Sequence, residues 1–360
     1  MLVKFMLERD ANNLDLIRII AACMVIYGHA YSIAPEVGRS DFIQDILGFD
    51  YTGSLAVKIF FFISGLVVTN SLLVKRNALS FLISRVFRIW PAFMFVVLSC
   101  AFVIGPIYTD YTLGDYFHSP QFSVVDYVVS NFRLDIRYYL PGVFFELPYE
   151  AAVNGSLWTL FYEVAAYLML LLFYMGGLLR DRFVGSLSLG LSILMLHFIQ
   201  PDGMHAVWHQ PFLMQCFAFG ALLALNKDFF NLHIGVLVLA WSAYVAGADS
   251  SAERYFLYIA IFLTLLYISS LKLMLRLKAP VDISYGVYLW GFPVQQMMAY
   301  HFLDWGVRFN QIASLILCII LGLISWYFVE ARCIRYGTQF SRFLNKKLFP
   351  NSGKDMVSGR

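Results

Sequence analysis

The chain has 360 residues, of which 60% are hydrophobic and only 14% are charged, and its formal net charge is +3. Soluble domains average about 25% charged residues, so this composition excludes an ordinary soluble enzyme and indicates an integral membrane protein. The net charge is modest and the basic residues are scattered over loops, which argues against nucleic acid as a partner.

The cysteines and the N-terminus add little chemistry. No two cysteines are spaced as a Cys-x-x-Cys motif, so we expect neither a disulfide framework nor a metal site. The N-terminal segment lacks the apolar core and cleavage site of a signal peptide, so we expect the first apolar run to be retained as a helix.

Apolar runs near the length that crosses a bilayer, about 20 residues, recur along the chain. They predict an all-α, polytopic helix bundle with about ten transmembrane helices, of which the fifth and seventh are short. The predicted spans are 13–34, 54–74, 87–107, 156–176, 183–200, 211–226, 232–248, 254–271, 281–301 and 311–331.

Basic residues are concentrated in alternate loops, which predicts the orientation. Lysine and arginine are enriched before the first span, after the last, and in every second loop between them. The positive-inside rule then places both termini in the cytoplasm. The longest outside segment, about 108–155, is rich in Asp, Tyr and Phe, and a loop of that length usually has a function or structure of its own. Its aromatic residues are interpreted first as interfacial anchors.

The first span carries two ionisable residues that a helix made only to cross lipid does not need. Arg18 and His29 are eleven residues apart, so they share one helical stripe with about 16 Å between them along the axis. Asp15, three residues before Arg18, can pair with it. Intramembrane ionisable residues mark functional sites by default, and a neutral imidazole is suited to taking a proton from a hydroxyl. A packed core histidine is the competing interpretation.

A second candidate lies at the predicted start of the third span. Arg85 and Arg88 are i, i+3 neighbours, and two guanidinium groups at a helix N-terminus would suit a phosphorylated ligand. The positive-inside rule alone also explains arginines at this place.

The fourth span opens on a third candidate. Glu163 lies about one and a half turns into it, and a buried glutamate must pair or become neutral. His29 is predicted at a comparable depth, so we expect Glu163 to orient that imidazole. A glutamate that snorkels to the interface is the alternative.

Other polar residues in the spans are less informative. Ser64 lies in an aromatic stretch beside Gly65 and is interpreted first as a packing residue, since nothing in the sequence supplies a base for it. Lys58 receives no role. The histidines at 197, 205 and 209 lack a metal-ligand spacing and are interpreted as polar loop residues.

Taken together, six segments resemble, in order and spacing, the signature segments of the membrane acyltransferase-3 family. They are LDLIRIIAACMVIYGH, FFFISGLVV, SRVFRIWPA, GSLWTLFYEVAAYL, ISYGVYLWGFPV and FVEARCIR. The resemblance covers roughly residues 13 to 335. It implies a transmembrane acyltransferase domain over 1–335, followed by a short basic cytoplasmic tail, 336–360.

The resemblance also implies the chemistry. Such proteins move acyl groups, usually acetyl, from cytoplasmic acyl-coenzyme A to hydroxyls of extracytoplasmic carbohydrates. By this likeness we expect a bacterial inner-membrane O-acetyltransferase acting on a glycan such as lipopolysaccharide O-antigen, with acetyl-coenzyme A as donor and no metal. The oligomeric state stays open.

Each candidate residue then has an expected role. His29 and Glu163 are the catalytic candidates. Arg18, Arg85 and Arg88 are the candidates for coenzyme A, and Trp158, Tyr162 and Ser64 for the acceptor.

One segment departs from the family pattern. Gly291 stands where many members have histidine in Tyr-Leu-Trp-His-Phe-Pro, so a role for a second histidine there is absent. A different class of function, a proton-coupled transporter or a flippase for a lipid-linked glycan, also fits ionisable residues inside ten spans. No inverted repeat is visible to favour it.

Overall fold

The computed structural model describes residues 1–8, 10–198 and 210–348. Over these ranges the chain is helical and forms no β-strand, with three isolated bridges between extended residues. The α-helices are α1 (Val3–Met6), α2 (Leu14–Ile33), α3 (Phe42–Leu47), α4 (Thr52–Lys75), α5 (Ala78–Ser99), α6 (Gly105–Tyr108), α7 (Leu113–His118), α8 (Val124–Phe132), α9 (Trp158–Met175), α10 (Arg182–Phe198), α11 (Gln210–Leu225), α12 (Ile234–Ala246), α13 (Glu253–Ser269), α14 (Lys272–Arg276), α15 (Ser284–Phe302), α16 (Gly306–Ser325) and α17 (Ala331–Leu348).

Within the described ranges, four short segments belong to other helix types. π-Helical turns, Cys100–Ile104 and Trp326–Glu330, connect α5 to α6 and α16 to α17. 3₁₀ turns, Gly155–Leu157 and Leu303–Trp305, precede α9 and α16.

The helices have the lengths and apolar composition of a membrane protein, which confirms the all-α prediction. In the described part of the chain, five helical stretches are long and apolar enough to cross a bilayer, the last of them running from α15 through α17. α10 and α12, which fall on the two runs predicted to be short, have 17 and 13 residues. Ten crossings and cytoplasmic termini stay predictions.

The chain divides into two compact units. Unit 1 consists of Met1–Val74 and Thr159–Ser284, and unit 2 of Lys75–Trp158 and Tyr285–Arg360. In unit 1, α10 packs on α11 and α12 packs on α13, which also contacts α2. Phe62 of α4 is fully buried in this unit, and its ring stacks on that of Phe262 of α13 with centroids 4.5 Å apart.

Unit 2 is built around the packing of α5 against α17. Gly337 permits the approach, since a Cβ there would lie 2.6 Å from the Phe87 side chain. Asn345 of α17 donates to the Ser80 hydroxyl on α5. The boundary predicted at residue 335 therefore falls inside a helix that continues to Leu348.

The long segment predicted over 108–155 has structure of its own. It contains α7 and α8, and its backbone pairs at the bridge between Thr109 and Val143. Tyr116 is buried and donates to the carbonyl of Ala101. Burial also raises the pKa of Tyr149, whose ring lies edge-on to Phe292, so this phenol stays neutral in the physiological range.

Candidate active site

The first span forms the single helix that the sequence predicted. Asn13 caps α2 by accepting from the backbone N–H of Leu16, and its amide donates to the carbonyl of Met274. Arg18 and His29 both lie in this helix, and both are partly buried. The helix thus carries the two ionisable groups on one continuous backbone.

Arg18 has a nearer partner than the one the sequence offered. Its guanidinium lies 2.7 Å from Asp282, whereas Asp15 is 3.9 Å away. The other oxygen of Asp282 accepts from the backbone and hydroxyl of Ser284, the first residue of α15. One carboxylate therefore caps a helix and orients the arginine.

A close helix crossing fixes the backbone next to His29. A Cβ on Gly28 would lie 2.5 Å from the backbone nitrogen of Gly53 at the start of α4. Only glycine allows two helices to approach this closely, so the His29 backbone is held against α4.

Glu163 lies in α9 and takes part in a polar line, which we define as Ser64, Tyr167 and Glu163. The Tyr167 phenol donates to Glu163, and the Ser64 hydroxyl lies 2.8 Å from the same phenol oxygen. The sequence reasoning missed Tyr167, although its i, i+4 spacing from Glu163 was a usable signal. The pairing of Glu163 with His29 stays a prediction.

The acceptor candidates on α9 follow a capped turn. Asn154 accepts from the backbone N–H of Ser156 and donates to the carbonyl of Leu289, which fixes the 3₁₀ turn before the helix. Trp158 and Tyr162 come next, one helical turn apart and both partly exposed, so they lie on one face of α9.

The arginines of unit 2 lie deeper in their helix than the sequence predicted. Asn77 caps α5 by accepting from the backbone N–H of Ser80, so the helix begins at Ala78. Arg85 and Arg88 are therefore in its third turn. The expectation that a helix N-terminus helps these arginines to bind an anion was wrong, because the favourable electrostatic field of a helix N-terminus is confined to its first turn.

Arg88 is held by a buried carboxylate that the sequence did not single out. It lies 3.1 Å from Glu330, whose side chain is 1% exposed and also accepts from the Ser325 hydroxyl. The rings of Tyr285 and Trp326 lie 5.7 and 5.9 Å from the guanidinium. Cation–π contacts and an ion pair together restrict its position.

Lys58, left without a role by the sequence, is half of a buried ion pair. Its ammonium lies 2.9 Å from Asp50, and both side chains are 3% exposed. It also donates to Ser54, and Tyr258 donates its phenol proton to Asp50. The positive charge of Lys58 is therefore balanced by the negative charge of Asp50 within this cluster.

The histidines at 205 and 209 lie outside the described residues, and His197 hydrogen-bonds to the Tyr255 phenol. Within the described ranges, no group of three or more His, Cys, Asp or Glu side chains is placed to hold a metal ion.

Comparison with known proteins decides the family. The family model for the acyltransferase domain of acyltransferase-3 proteins matches residues 11–331. The chain belongs to the acyltransferase-3 family. It is therefore an acyltransferase, which confirms the class predicted from the sequence.

Two curated relatives accompany this assignment. An O-acetyl transferase of Shigella phage Sf6 is 27% identical over 339 residues, covering 89% of this acyltransferase-3 chain and 96% of the relative. Nodulation protein 10 of Rhizobium leguminosarum bv. viciae is 34% identical over 166 residues, 44% of this chain and 43% of the relative. No solved structure matches the chain.

Proposed function

We propose that this protein is an O-acetyltransferase of the bacterial inner membrane. It moves an acetyl group from acetyl-coenzyme A in the cytoplasm to a hydroxyl of an extracytoplasmic polysaccharide such as lipopolysaccharide O-antigen. The observation that carries the proposal is the match to the phage O-acetyl transferase, which extends over 96% of that protein. Ten crossings with both termini in the cytoplasm belong to the same proposal.

The helix α2 supports a path for the acyl group. Arg18 and His29 lie in this one helix, and their separation along its axis is about 16 Å. In the proposed orientation Arg18 is near the cytoplasmic donor, and His29 is nearer the acceptor. A span of this length is comparable with an extended pantetheine arm.

Arginines bind the phosphates of the donor in this proposal. Guanidinium groups match phosphate oxygens with paired hydrogen bonds. Arg18, Arg85 and Arg88 are the three proposed ligands. Arg18 pairs with Asp282, and Arg88 pairs with Glu330. Asp282 and Glu330 restrict the positions of these two side chains before the donor binds.

His29 acts as the general base. It removes the proton of the acceptor hydroxyl as that oxygen attacks the carbonyl carbon of the thioester. The new C–O bond forms, the C–S bond breaks, and the proton passes from His29 to the departing thiolate. Glu163 stabilises the positive charge that develops on the imidazole, and Trp158, Tyr162 and Ser64 contact the acceptor. Transfer through an acyl-His29 intermediate would differ by giving ping-pong kinetics.

The test uses membranes that contain the full-length protein and acetyl-coenzyme A labelled in its acetyl group. The wild type should move label to glycan, and His29→Ala should abolish this while the protein stays folded in the membrane. His197→Ala is the matched control, because it removes an imidazole bonded to Tyr255, outside the proposed chemistry. Label transfer by His29→Ala at the wild-type rate would overturn the role of His29. Absence of transfer by the wild type would favour a transporter or flippase.

A further inference from the structure

The polar line in unit 1 joins two helices through one phenol. Tyr167 and Glu163 belong to α9, and Ser64 belongs to α4. The distances are 2.5 Å from the Tyr167 oxygen to Glu163 and 2.8 Å from the same oxygen to Ser64. The phenol is therefore the shared member of both hydrogen bonds.

The chemistry of the three groups sets the direction of these bonds. An ionised carboxylate only accepts, so the single phenol proton of Tyr167 is directed to Glu163. The Ser64 hydroxyl then donates to the phenol oxygen. The bond from Tyr167 to Glu163 is charge-assisted and therefore stronger than a bond between neutral groups, such as the one from Ser64 to Tyr167.

Packing holds Tyr167 in place. Its side chain is largely buried, at 6% exposure, and its ring lies edge-on to Phe217 of α11 with centroids 5.9 Å apart. α11 also meets α4 beside Ser64, because a Cβ on Gly65 would lie 2.0 Å from the carbonyl oxygen of Phe217. The phenol therefore has little room to leave the line.

Glu163 differs from Asp50 and Asp282, two other carboxylates of unit 1, in its partner. Asp50 faces Lys58 and Asp282 faces Arg18. Across the described residues, no cation lies within ion-pair distance of Glu163, whose hydrogen-bond donor is the neutral phenol of Tyr167. Its charge is oriented and not neutralised, as a carboxylate that stabilises a transient cation requires.

We propose that Tyr167 is a positioning residue for acyl transfer, and that its phenol holds the Glu163 carboxylate in the orientation used during catalysis. The proposal rests on the proposed function, in which Glu163 takes part in the chemistry. Tyr167 acts through Glu163 and does not touch the acyl group. It should therefore affect kcat and leave the KM for the donor nearly unchanged.

The test is a double-mutant cycle on the full-length protein in membranes, with labelled acetyl-coenzyme A as donor. Tyr167→Phe keeps the ring and removes the hydroxyl. We expect kcat to fall about tenfold or more, since hydrogen bonds to charged groups are strong, while the donor KM stays within twofold. In Glu163→Gln, the further change Tyr167→Phe should lower kcat by less than twofold, because the phenol acts through the carboxylate that is already lost.

Tyr258→Phe is the matched control. It removes a phenol that donates to the carboxylate of Asp50, also in unit 1 but outside the polar line. We expect its kcat per folded molecule to equal that of the wild type. Folded protein is quantified by gel filtration in detergent, so that loss of fold is separated from loss of rate.

Three outcomes would overturn the proposal. In the first, Tyr167→Phe retains its kcat within twofold. In the second, the effects of Tyr167→Phe and Glu163→Gln multiply. In the third, Glu163→Gln is fully active, which would also show that Glu163 takes no part in the reaction. The failure of the proposed function itself looks different, since the wild type then transfers no label.

Discussion

Two carboxylates of unit 1 each accept a hydrogen bond from a tyrosine phenol, but their surroundings differ. Asp50 accepts from Tyr258 and lies 2.9 Å from the Lys58 ammonium, with both charged side chains 3% exposed. Glu163 accepts from Tyr167 and is partly exposed. Among the residues described in the structure, it has no cationic partner.

The difference separates two uses of a charge inside a membrane protein. A buried carboxylate matched by a cation is fixed, and removing one partner leaves the other charge uncompensated. An oriented carboxylate without a cation keeps its charge available for a group that becomes positive during a reaction. Asp50 therefore belongs to the architecture of unit 1, and Glu163 to the proposed chemistry.

The largest effect is expected when the matched pair is broken. Asp50→Asn leaves the Lys58 ammonium buried without its carboxylate, so stability should fall by about 3–5 kcal/mol. Thermal unfolding of the purified protein in detergent measures this loss. The double change Asp50→Asn with Lys58→Met should recover much of it. A single variant as stable as the wild type would contradict the structural role of the pair.

Glu163→Gln should lower kcat and leave stability unchanged, the reverse of what is expected for Asp50→Asn. The side chain keeps its shape and loses its charge, so the protein should fold normally and kcat should fall about a hundredfold. Rates are compared per folded molecule, with labelled acetyl-coenzyme A as donor. Normal kcat, or a loss of fold as large as that of Asp50→Asn, would remove the distinction between the two carboxylates.

Glu330 of unit 2 extends the comparison to an arginine. Its side chain is 1% exposed and pairs with Arg88 at 3.1 Å. Glu330→Gln should lower stability by about 1–3 kcal/mol, because a charged hydrogen bond to the guanidinium is weakened. Thermal unfolding measures this effect, with Glu36→Gln as the control because Glu36 forms a more exposed ion pair with Arg39. Equal shifts for the two variants would argue against a buried pair.

Ser64→Ala should have the smallest effect. It removes the outer member of the polar line and leaves the bond between Tyr167 and Glu163 intact. We expect kcat to fall about threefold, which corresponds to the loss of one neutral hydrogen bond. A fall as large as that of Tyr167→Phe would contradict its place as the outer member of the polar line, whereas the proposed contact of Ser64 with the acceptor predicts a raised KM for the acceptor.

The sequence predicted those features of the fold that depend only on residues close together in the chain. Arg18 and His29 lie in one helix because the ten residues between them form an uninterrupted apolar run without proline, which favours a continuous helix. The all-helical class followed from composition in the same way. The start of α5 was missed, although Asn77 three residues before Ser80 is a capping signal that could have been used.

Long-range partners could not be predicted. Asp282 is 264 residues from Arg18 in sequence, and Glu330 is 242 residues from Arg88. Such pairings depend on which helices become neighbours, and periodicity within a single helix carries no information about that. The link from Ser64 to Tyr167 was hidden for the same reason.

The most direct test of the central claim is the acetyl content of the cell's surface polysaccharide, measured by mass spectrometry. Cells without the gene are supplied with the wild type, with His29→Ala, or with His197→Ala at equal membrane abundance. The wild type and His197→Ala should restore the acetylated glycan, and His29→Ala should leave it unacetylated. Full acetylation with His29→Ala would contradict the account.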